Sequence, residues 1–514
     1  MSVVVNDGVP LTSSATNADI VSVLNQLILQ ASNTSDSDAL IGAYEAYMSP
    51  NDVAGTGGIL WVLTAGFLVF FMHAGFSMLE TGCITAKNAI NILFKNVGTV
   101  AIGGVCYYLL GYGFAFGDNN AGNSSSRFIG SGDFALYQTA DPTNDAYPET
   151  GRHFWFFQFA FAATSATIVS GAMAGRMNLS GYFITAALMT SFVYPVVSHW
   201  VWSAQGWISA FTEEPFLSDK GGCGMIDYAG SGVVHMTGGV AAFIGTAIIG
   251  PRLGRFDADG NDTGNLPPHN LILCTLGTFI LWFGWYGFNC GSTLAFDGSN
   301  AAKVAVTTTL SPSMAAVTAI VLSRILYGHF DLSLVLNSVL GGLVGITAGC
   351  ATVDDWAALI IGFVACFVYL GASTLVKKLG MDDVVDAFAV HGACGIWGVL
   401  AAGIFSTPYL INSAYGKSCD GWTSGQQFGT QFVGVLAIIG WVTLTMVPFF
   451  LLLKVTGILR VSAVEEEAGL DHSEHGGMEA FDGAHKSEHG QQNQQISLNE
   501  TKATAAQAEA VTDV

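Results

Sequence analysis

The sequence predicts an all-α polytopic membrane protein with eleven transmembrane helices, and three observations support this fold class. Charged residues are 11% of the 514 residues, well below the proportion of about 25% in an ordinary soluble domain. Apolar residues are 51% and the mean hydropathy is +0.49. Apolar segments of about 20 residues, the length that crosses a bilayer, recur along the chain. This composition disfavours a soluble enzyme and also a largely disordered chain, because a disordered chain is poor in apolar residues.

The eleven predicted spans are rich in Gly and Ala, which let helices pack closely where the surrounding lipid is as apolar as the helices. They are, in chain order, residues 59–79, 94–117, 154–174, 182–209, 231–250, 269–291, 304–327, 332–350, 356–376, 384–405 and 429–453.

Charge is concentrated at the two ends of the chain. The formal net charge is −21, from 17 Lys and Arg against 38 Asp and Glu. Residues 1–58 contain acids and no Lys or Arg, and are predicted to be an acidic extracellular N-terminal segment. Residues 59–460 form the eleven-span domain. Residues 461–514 are predicted to be an acidic regulatory tail, largely disordered beyond about residue 477 because they are polar and of low complexity. The chain lacks the basic patch that nucleic-acid binding requires, so no nucleic-acid partner is expected.

The orientation follows from the Lys and Arg residues beside the spans, which favour the cytosolic side. An extracellular N-terminus and a cytosolic C-terminus place ten of these residues inside and five outside. Two glycosylation sequons, at Asn33 and Asn123, then face outward. Cys223 and Cys419 also lie in outward loops, where an oxidising exterior permits a disulfide between them. Whether the two come within bonding distance is left open by the sequence.

A matched pair of motifs lies at the start of the fifth and tenth spans. Asp227 precedes His235 by eight residues, and Asp383 precedes His391 by the same spacing. Eight helical residues cover about 12 Å, which carries each histidine from the membrane surface toward the midplane. Each aspartate is placed to cap the first backbone N–H groups of its helix.

These motifs enter the membrane from opposite sides, because five spans separate them. This is the pattern of two inverted five-helix repeats, here followed by one extra C-terminal helix. A single histidine on an apolar face is more often a satisfied core residue than a functional one. Two histidines at matched positions in opposed repeats predict a functional site at the midplane, where an ionisable side chain is costly.

Three motifs of the sequence resemble those of the ammonium transporter, methylammonium permease and Rhesus superfamily, and more closely the ammonium transporters of plants and algae. They are DYAGSGVVHMTGG (227–239), GWYGFNCGS (284–292) and DDVVDAFAVHGACGIWG (382–398). The resemblance covers about residues 59–477. It implies uptake of ammonium, and of methylammonium, by a homotrimer in the plasma membrane, with a separate hydrophobic pore in each protomer.

The resemblance also assigns roles to individual residues. His235 and His391 match the paired pore histidines, and Phe161 and Phe288 match two stacked gate phenylalanines. An outer recruitment site for the ammonium ion is implied at the residues that match it, Trp202, Ser292, Phe157 and Asp227, with Asp383 as the repeat partner of Asp227. Taken alone, each aromatic residue is more simply a packing residue, since the chain has 34 Phe and 11 Trp.

The chemistry of these residue types suits ammonium. An aromatic face attracts a cation by about 0.5–2 kcal/mol, whereas a bare charge at the midplane costs several kcal/mol. The resemblance implies that ammonium loses a proton at the gate, that ammonia crosses the pore, and that the proton is transferred separately along the histidines. Alkali ions cannot lose a proton and therefore meet the whole barrier.

The tail segment RVSAVEEEAGLDHSEHGG (460–477) resembles the tail motif of the same family, and Ser473 occupies the position of a threonine in the plant members. The resemblance implies that the tail docks under a neighbouring protomer and holds its pore open, and that a protein kinase acting on Ser473 releases it. Gly469, Leu470 and Asp471 precede Ser473 in a stretch that reads as a turn.

Three other functions are weighed against transport. An ammonium sensor would retain the pore and signal through the tail, and a measurement of flux separates it from a transporter. A Rhesus-type electroneutral gas channel is disfavoured by the aromatic outer site at Trp202. A membrane metalloenzyme is disfavoured because the nine cysteines form no CxxC pair and no span carries HxxxH or ExxH spacing. No enzymatic activity, metal or cofactor is expected.

Overall fold

The computed structural model describes residues 50–117, 126–137, 151–216, 223–419, 425–477 and 480, with side chains from residue 56 onward. The chain divides into two compact units, residues 1–60 and 61–514, and only residues 50–60 of the first unit are described. Both predicted sequons, at Asn33 and Asn123, lie outside the described residues, and so does nearly all of the tail beyond residue 477.

The regular secondary structure of the described residues is entirely helical, and their only β-type pairings are isolated bridges. Ten helices in these ranges are long and apolar enough to cross a membrane, and one shorter apolar helix accompanies them. In chain order the eleven are α1 Pro50–Cys83, α2 Ala86–Phe116, α3 Gly151–Ala172, α4 Leu179–Trp202, α5 Ser231–Ile249, α6 Leu271–Gly291, α7 Gly298–Tyr327, α8 Leu332–Thr347, α9 Asp355–Lys378, α10 Phe388–Phe405 and α11 Gln426–Val455.

Each predicted span overlaps one of these helices, which confirms the all-helical membrane fold class. The shorter helix is α8, whose 16 residues cover about 24 Å, less than the hydrocarbon thickness of about 30 Å. The number of crossings and the orientation therefore remain predictions.

Three boundaries differ from the predicted spans for identifiable reasons. The first helix continues to Cys83, past the predicted end at residue 79, and the second begins at Ala86 rather than 94. Glu80 lies in the added turn of the first helix and Lys87 in the added turns of the second, and hydropathy ends a span at such charged residues although Glu80 is buried here. The fourth helix ends at Trp202 rather than 209, because Ser203 takes an extended conformation.

Side-chain caps fix the starts of several helices. The Asn270 side chain accepts hydrogen bonds from two backbone N–H groups at the start of α6. Asp297 and Asp331 each accept one at the starts of α7 and α8. Asn and Asp are strongly favoured at this position because they satisfy donors that have no partner within the helix.

Four π-helical turns interrupt the long helices: Tyr107–Gly111 in α2, Met189–Val193 in α4, Ser231–Met236 at the start of α5 and Phe388–Ala393 at the start of α10. Such turns are rare and often accompany functional sites. The last two occupy matching places in the predicted repeats, and they carry the two histidines of the sequence motifs.

Helices α5 and α10 cross at glycines. A Cβ atom built on Gly239 of α5 would overlap the backbone of Gly392 on α10. A Cβ atom on Gly395 of α10 would lie 2.6 Å from the Ser231 carbonyl oxygen. Only glycine permits these two backbones to approach so closely, and the crossing lies immediately beside His391.

An ion cluster joins three loops at the end of the protein where the tail lies. The Asp382 carboxylate accepts hydrogen bonds from the Arg252 guanidinium at 2.7 and 2.9 Å, and lies 3.4 Å from Arg255. The Arg176 guanidinium donates to the backbone oxygen of Asp382 at 2.6 Å. Burial acts to raise the pKa of Asp382, but the hydrogen bonds from Arg252 and the charges of both Arg176 and Arg252 outweigh it and lower this pKa to about 2. The loops are therefore held together by charge at neutral pH.

We expect Gly239→Val to destabilise the protein by about 1–3 kcal/mol or more, because the added methyl groups must push α5 away from α10. The measurement is thermal unfolding of the purified protein in detergent. Gly440→Val on α11 is the matched control, since no atom lies within 4 Å of a Cβ at Gly440. Equal unfolding temperatures for the two variants would show that the crossing is not tight.

Candidate functional site

A cavity of about 260 Å³ opens at one end of the helix bundle, and most of its lining is apolar or aromatic. Phe157 and Phe161, one turn apart on α3, present the same face to it. Trp202 enters from the end of α4, and Ser292 follows the end of α6. The lining is completed by Phe154, Gln158, Ala204, Phe211, Tyr228 and Leu294.

Two stacked phenylalanines close the bottom of this cavity. The ring centroids of Phe161 and Phe288 are 4.0 Å apart with an angle of 24° between the ring planes. Trp202 meets Phe161 edge-on at 5.9 Å, and its indole N–H donates to the Asp227 backbone oxygen at 2.7 Å. The Ser292 hydroxyl donates to the Phe288 backbone oxygen at 2.9 Å, which leaves its own lone pairs available to accept from a ligand.

Below the phenylalanines the structure brings the two histidines together. The Nδ1 atoms of His235 and His391 are 3.2 Å apart, and their rings lie 5.2 Å apart with nearly parallel planes. Both side chains are buried. Between two neutral rings one Nδ1 must donate and the other accept, so the pair shares one proton along this contact.

His235 is held in an aromatic stack. Its ring lies 4.9 Å from Trp285 and 5.3 Å from Phe288, close to parallel in both cases. The Trp285 indole N–H donates to the Thr347 hydroxyl at 2.9 Å, which fixes the indole from α8. Trp285 lies within the predicted motif 284–292, but its role could not be predicted, since one tryptophan among eleven carries no distinguishing signal.

The two aspartates of the motifs cap the π-helical turns that carry the histidines. The Asp227 carboxylate accepts from the backbone N–H groups of Gly230, Gly232 and Val233 at 2.9–3.1 Å. The Asp383 carboxylate accepts from Ala387 and Phe388 at 2.9 and 2.7 Å.

Both aspartates lie just before the membrane-spanning helices, where Asp227 is buried and Asp383 is partly buried. Burial raises the pKa of Asp227 to about 6, although the backbone hydrogen bonds act to lower it. Burial and the charge of Asp386 raise the pKa of Asp383 to about 7. Neither aspartate lines the outer cavity, and the contact of Asp227 with a residue of that cavity is made by its backbone oxygen, which accepts from Trp202.

A second and much smaller cavity, of about 10 Å³, lies on the other side of the histidine pair. It is bounded by His391, Phe76 and Glu80, together with the aliphatic side chains of Leu79, Ile168, Leu340, Val385, Ala387 and Val390. Phe76 lies 6.1 Å from the His391 ring. Glu80 was not among the predicted site residues, because the first predicted span ends one residue before it, at 79. A longer span would have marked it as an ionisable residue within a helix that crosses the membrane.

The remaining candidate residues lie away from the cavities. Cys223 and Cys419 form a disulfide with 5.6 Å between their Cα atoms, a separation that disulfides commonly have. Ser473 lies in a short tail helix, α13 Leu470–Glu474, which follows α12 Ala463–Ala468. The stretch that reads as a turn in the sequence is therefore partly helical, with only Gly469 preceding α13.

The tail is docked against the start of α2 of its own chain. The Asp471 carboxylate accepts from the backbone N–H groups of Ile90 and Asn91 at 3.0 and 2.8 Å. The Glu474 carboxylate accepts from the Asn91 amide and from the Leu179 N–H. Ser473 is exposed between these two acids. The resemblance implied docking on a neighbouring protomer, whereas the contacts described here lie within one chain.

Comparison with known proteins gives a consistent picture. The family model described as "Ammonium Transporter Family" matches residues 60–480. The chain is 43% identical over 441 residues to "Ammonium transporter 1 member 3" of Solanum lycopersicum, which covers 81% of this chain and 92% of the relative. This relative is named a transporter and not an enzyme.

Two solved structures are similar in fold. The "Sensor Amt Protein" is 32% identical, with a TM-score of 0.73, and the match covers 82% of this chain and 99% of that one. Candida albicans Mep2 is 26% identical, with a TM-score of 0.70, and the match covers 80% of this chain and 88% of that one.

We expect Asp227→Ala to lower the free energy of unfolding by about 1–3 kcal/mol, because it leaves buried backbone N–H groups without an acceptor. Asp227→Asn keeps an oxygen acceptor and should lose less. Thermal unfolding of the purified protein measures both. The matched control is Asp257→Ala, which removes an exposed carboxylate that also accepts from backbone N–H groups and should be nearly neutral. An Asp227→Ala protein as stable as this control would contradict the capping role.

Proposed function

The chain belongs to the ammonium transporter family, and from this membership we propose that it takes up ammonium by binding the ion in the outer aromatic cavity and passing ammonia along the histidine pair. The observation that supports this route most directly is the buried contact between His235 and His391, which lies in line between the two cavities.

The outer cavity is suited to a small cation that must leave water. Trp202, Phe157 and Phe161 present aromatic groups to it, and a cation over such a face gains about 0.5–2 kcal/mol. Ser292 offers a hydroxyl oxygen to an N–H donor. The lining has few other polar groups that could replace the water that an entering ion loses.

Deprotonation explains how the barrier below the cavity is crossed. The stacked Phe161 and Phe288 rings and the buried histidines offer no counter-charge to an ion, and a bare charge there costs several kcal/mol. Ammonium gives up one proton to the His235 ring, whose Nε2 atom has no hydrogen-bond partner among the described residues, and becomes neutral ammonia, which passes between the apolar walls. The proton passes separately from one histidine to the other across their Nδ1 contact, so that net charge moves with each ammonia.

The proposed setting is a homotrimer in the plasma membrane, with the N-terminus outside and the C-terminus in the cytosol. Helices α1 and α6 expose large apolar side chains, among them Phe67, Phe71, Phe279 and Phe283. Surfaces of this kind face lipid or another apolar protein surface. The disulfide between Cys223 and Cys419 then lies on the oxidising side, as disulfides generally do.

A sensor function is the second candidate, and one observation favours it: the similarity to the structure named "Sensor Amt Protein". A sensor and a transporter differ in flux. Expression in a cell that lacks ammonium uptake decides between them, since growth on low ammonium requires transport.

We expect His235→Ala and His391→Ala each to abolish the ammonium-specific current or to let potassium carry current. Either change removes the shared proton contact and opens space at the midplane. The measurement is two-electrode voltage clamp in oocytes with ammonium and potassium compared at equal concentration. His329→Ala, in an exposed loop, is the matched control. If both pore variants keep the wild-type current and selectivity, the histidine pair does not set selectivity.

We further propose that phosphorylation of Ser473 by a protein kinase switches the pore off. A phosphate adds about 1.5–2 negative charges between Asp471 and Glu474, whose carboxylates hold the tail against α2. Repulsion between these groups weakens the docking. In a trimer, release of one tail would also affect its neighbours.

We expect Ser473→Asp to lower the ammonium-evoked current by about tenfold, which is a usual size for coupling between two sites. Surface labelling must show equal amounts of protein at the membrane. Ser473→Ala should conduct like wild type, and so should Val464→Asp, which adds a charge to an exposed position of α12. A Ser473→Asp protein that conducts normally at the surface rules out the switch.

A further inference from the structure

Glu80 is a buried carboxylate that the route described above does not use. It lies on α1 with 2% of its surface exposed, and it borders the same small cavity as His391. Phe76, one turn earlier on the same helix, contacts the His391 ring. Glu80 is therefore placed one helical turn, about 6 Å, beyond the point where α1 meets the histidine.

Two polar side chains hold the Glu80 carboxylate, and no Lys or Arg of the described residues forms a salt bridge with it. Its oxygens accept from the Ser170 hydroxyl at 2.8 and 3.1 Å and from the Asn96 amide at 2.6 Å. A carboxylate offers about four acceptor positions, so capacity for a further hydrogen remains. Lys95 is buried nearby on α2 and donates to the Met177 backbone oxygen, and its charge acts on Glu80 from a distance.

Gly171 leaves space beside the Glu80 carboxylate and Val385, because it has no side chain. A Cβ atom at Gly171 would lie 3.0 Å from Glu80 Oε1 and 2.5 Å from a methyl carbon of Val385, which also lines the cavity. The cavity has a volume of about 10 Å³, which is about the space that one water molecule needs. A single water or ammonia molecule there is bounded by both His391 and Glu80.

We propose that Glu80 is the proton acceptor on the inner side of the histidine pair and the place where ammonia becomes ammonium again. This inference rests on the proposed transport route. His391, when protonated, gives its proton to the Glu80 carboxylate, directly or through the one molecule in the cavity, and returns to the neutral ring. The Glu80 carboxyl then protonates ammonia arriving from the pore, which yields ammonium and restores the carboxylate.

The charges balance over this cycle. One proton leaves ammonium at the outer cavity and one proton joins ammonia at Glu80, so one positive charge moves inward for each ammonia. Other ionisable groups whose charges interact with Glu80 are Tyr182 on α4 and Cys83 on α1. Neither borders the small cavity, so among the described residues that line it His391 and Glu80 are the two that can exchange a proton.

The test is the ratio of charge moved to substrate taken up, measured as current and radiolabelled methylammonium in the same voltage-clamped oocytes. We expect Glu80→Gln, which keeps the size and hydrogen-bonding shape of the side chain, to lower this ratio at least about tenfold while uptake continues. Glu80→Met fills the same volume without a charge and should give the same result, which covers the case in which Glu80→Gln does not reach the surface.

Two controls keep the carboxyl group. Glu80→Asp retains it, and Ser170→Ala removes one of its hydrogen-bond donors; both should keep the wild-type ratio even if total transport falls. A purely structural role of Glu80 would lower current and uptake in proportion and leave the ratio unchanged, which overturns the relay. A wild-type ratio near zero overturns it as well. Absence of any wild-type uptake is a different result, because the proposed transport function itself then fails.

Discussion

The cost of holding a charge in the hydrocarbon layer governs the arrangement of this protein. Several ionisable side chains that lie within the bundle are held by specific partners. His235 and His391 contact each other, Glu80 is held by Ser170 and Asn96, and Lys95 donates to a backbone oxygen. The partners come from other helices or, for Lys95, from the loop between α3 and α4, so the polar groups also join separate segments of the bundle.

Glycine contacts and aspartate caps provide the framework for this arrangement. The caps fix the π-helical turns at the starts of α5 and α10, and the glycine crossing brings those turns side by side. His235 and His391 come into contact because the aspartate caps and the glycine crossing act together. Trp285, secured by Thr347 from α8, then keeps the His235 ring parallel to its partner. The geometry of the pair therefore depends on residues spread over several helices.

Much of this arrangement could be predicted from the spacing of residues in the sequence. Two Asp and His pairs at equal separation predicted both the opposed repeats and the position of the histidines. The rise per residue of a helix converts the spacing of eight residues into a depth within the membrane. Glu80 and the tail contacts could not be predicted in this way. A hydropathy profile ends the first span before the acidic Glu80. It carries no information on Ser170 and Asn96, which donate hydrogen bonds to Glu80 from other helices. The docking of Asp471 on the start of α2 depends on the approach of segments about 380 residues apart, which no local pattern reveals.

The two cavities on either side of the histidine pair are unlike. One is a cavity of about 260 Å³ with aromatic walls, and the other is a space of about 10 Å³ beside a carboxylate. A passive pore with unequal ends has the same equilibrium in both directions but different half-saturation concentrations from its two sides. On the proposed route, the side with the large aromatic cavity therefore half-saturates at a lower substrate concentration than the side with the small cavity.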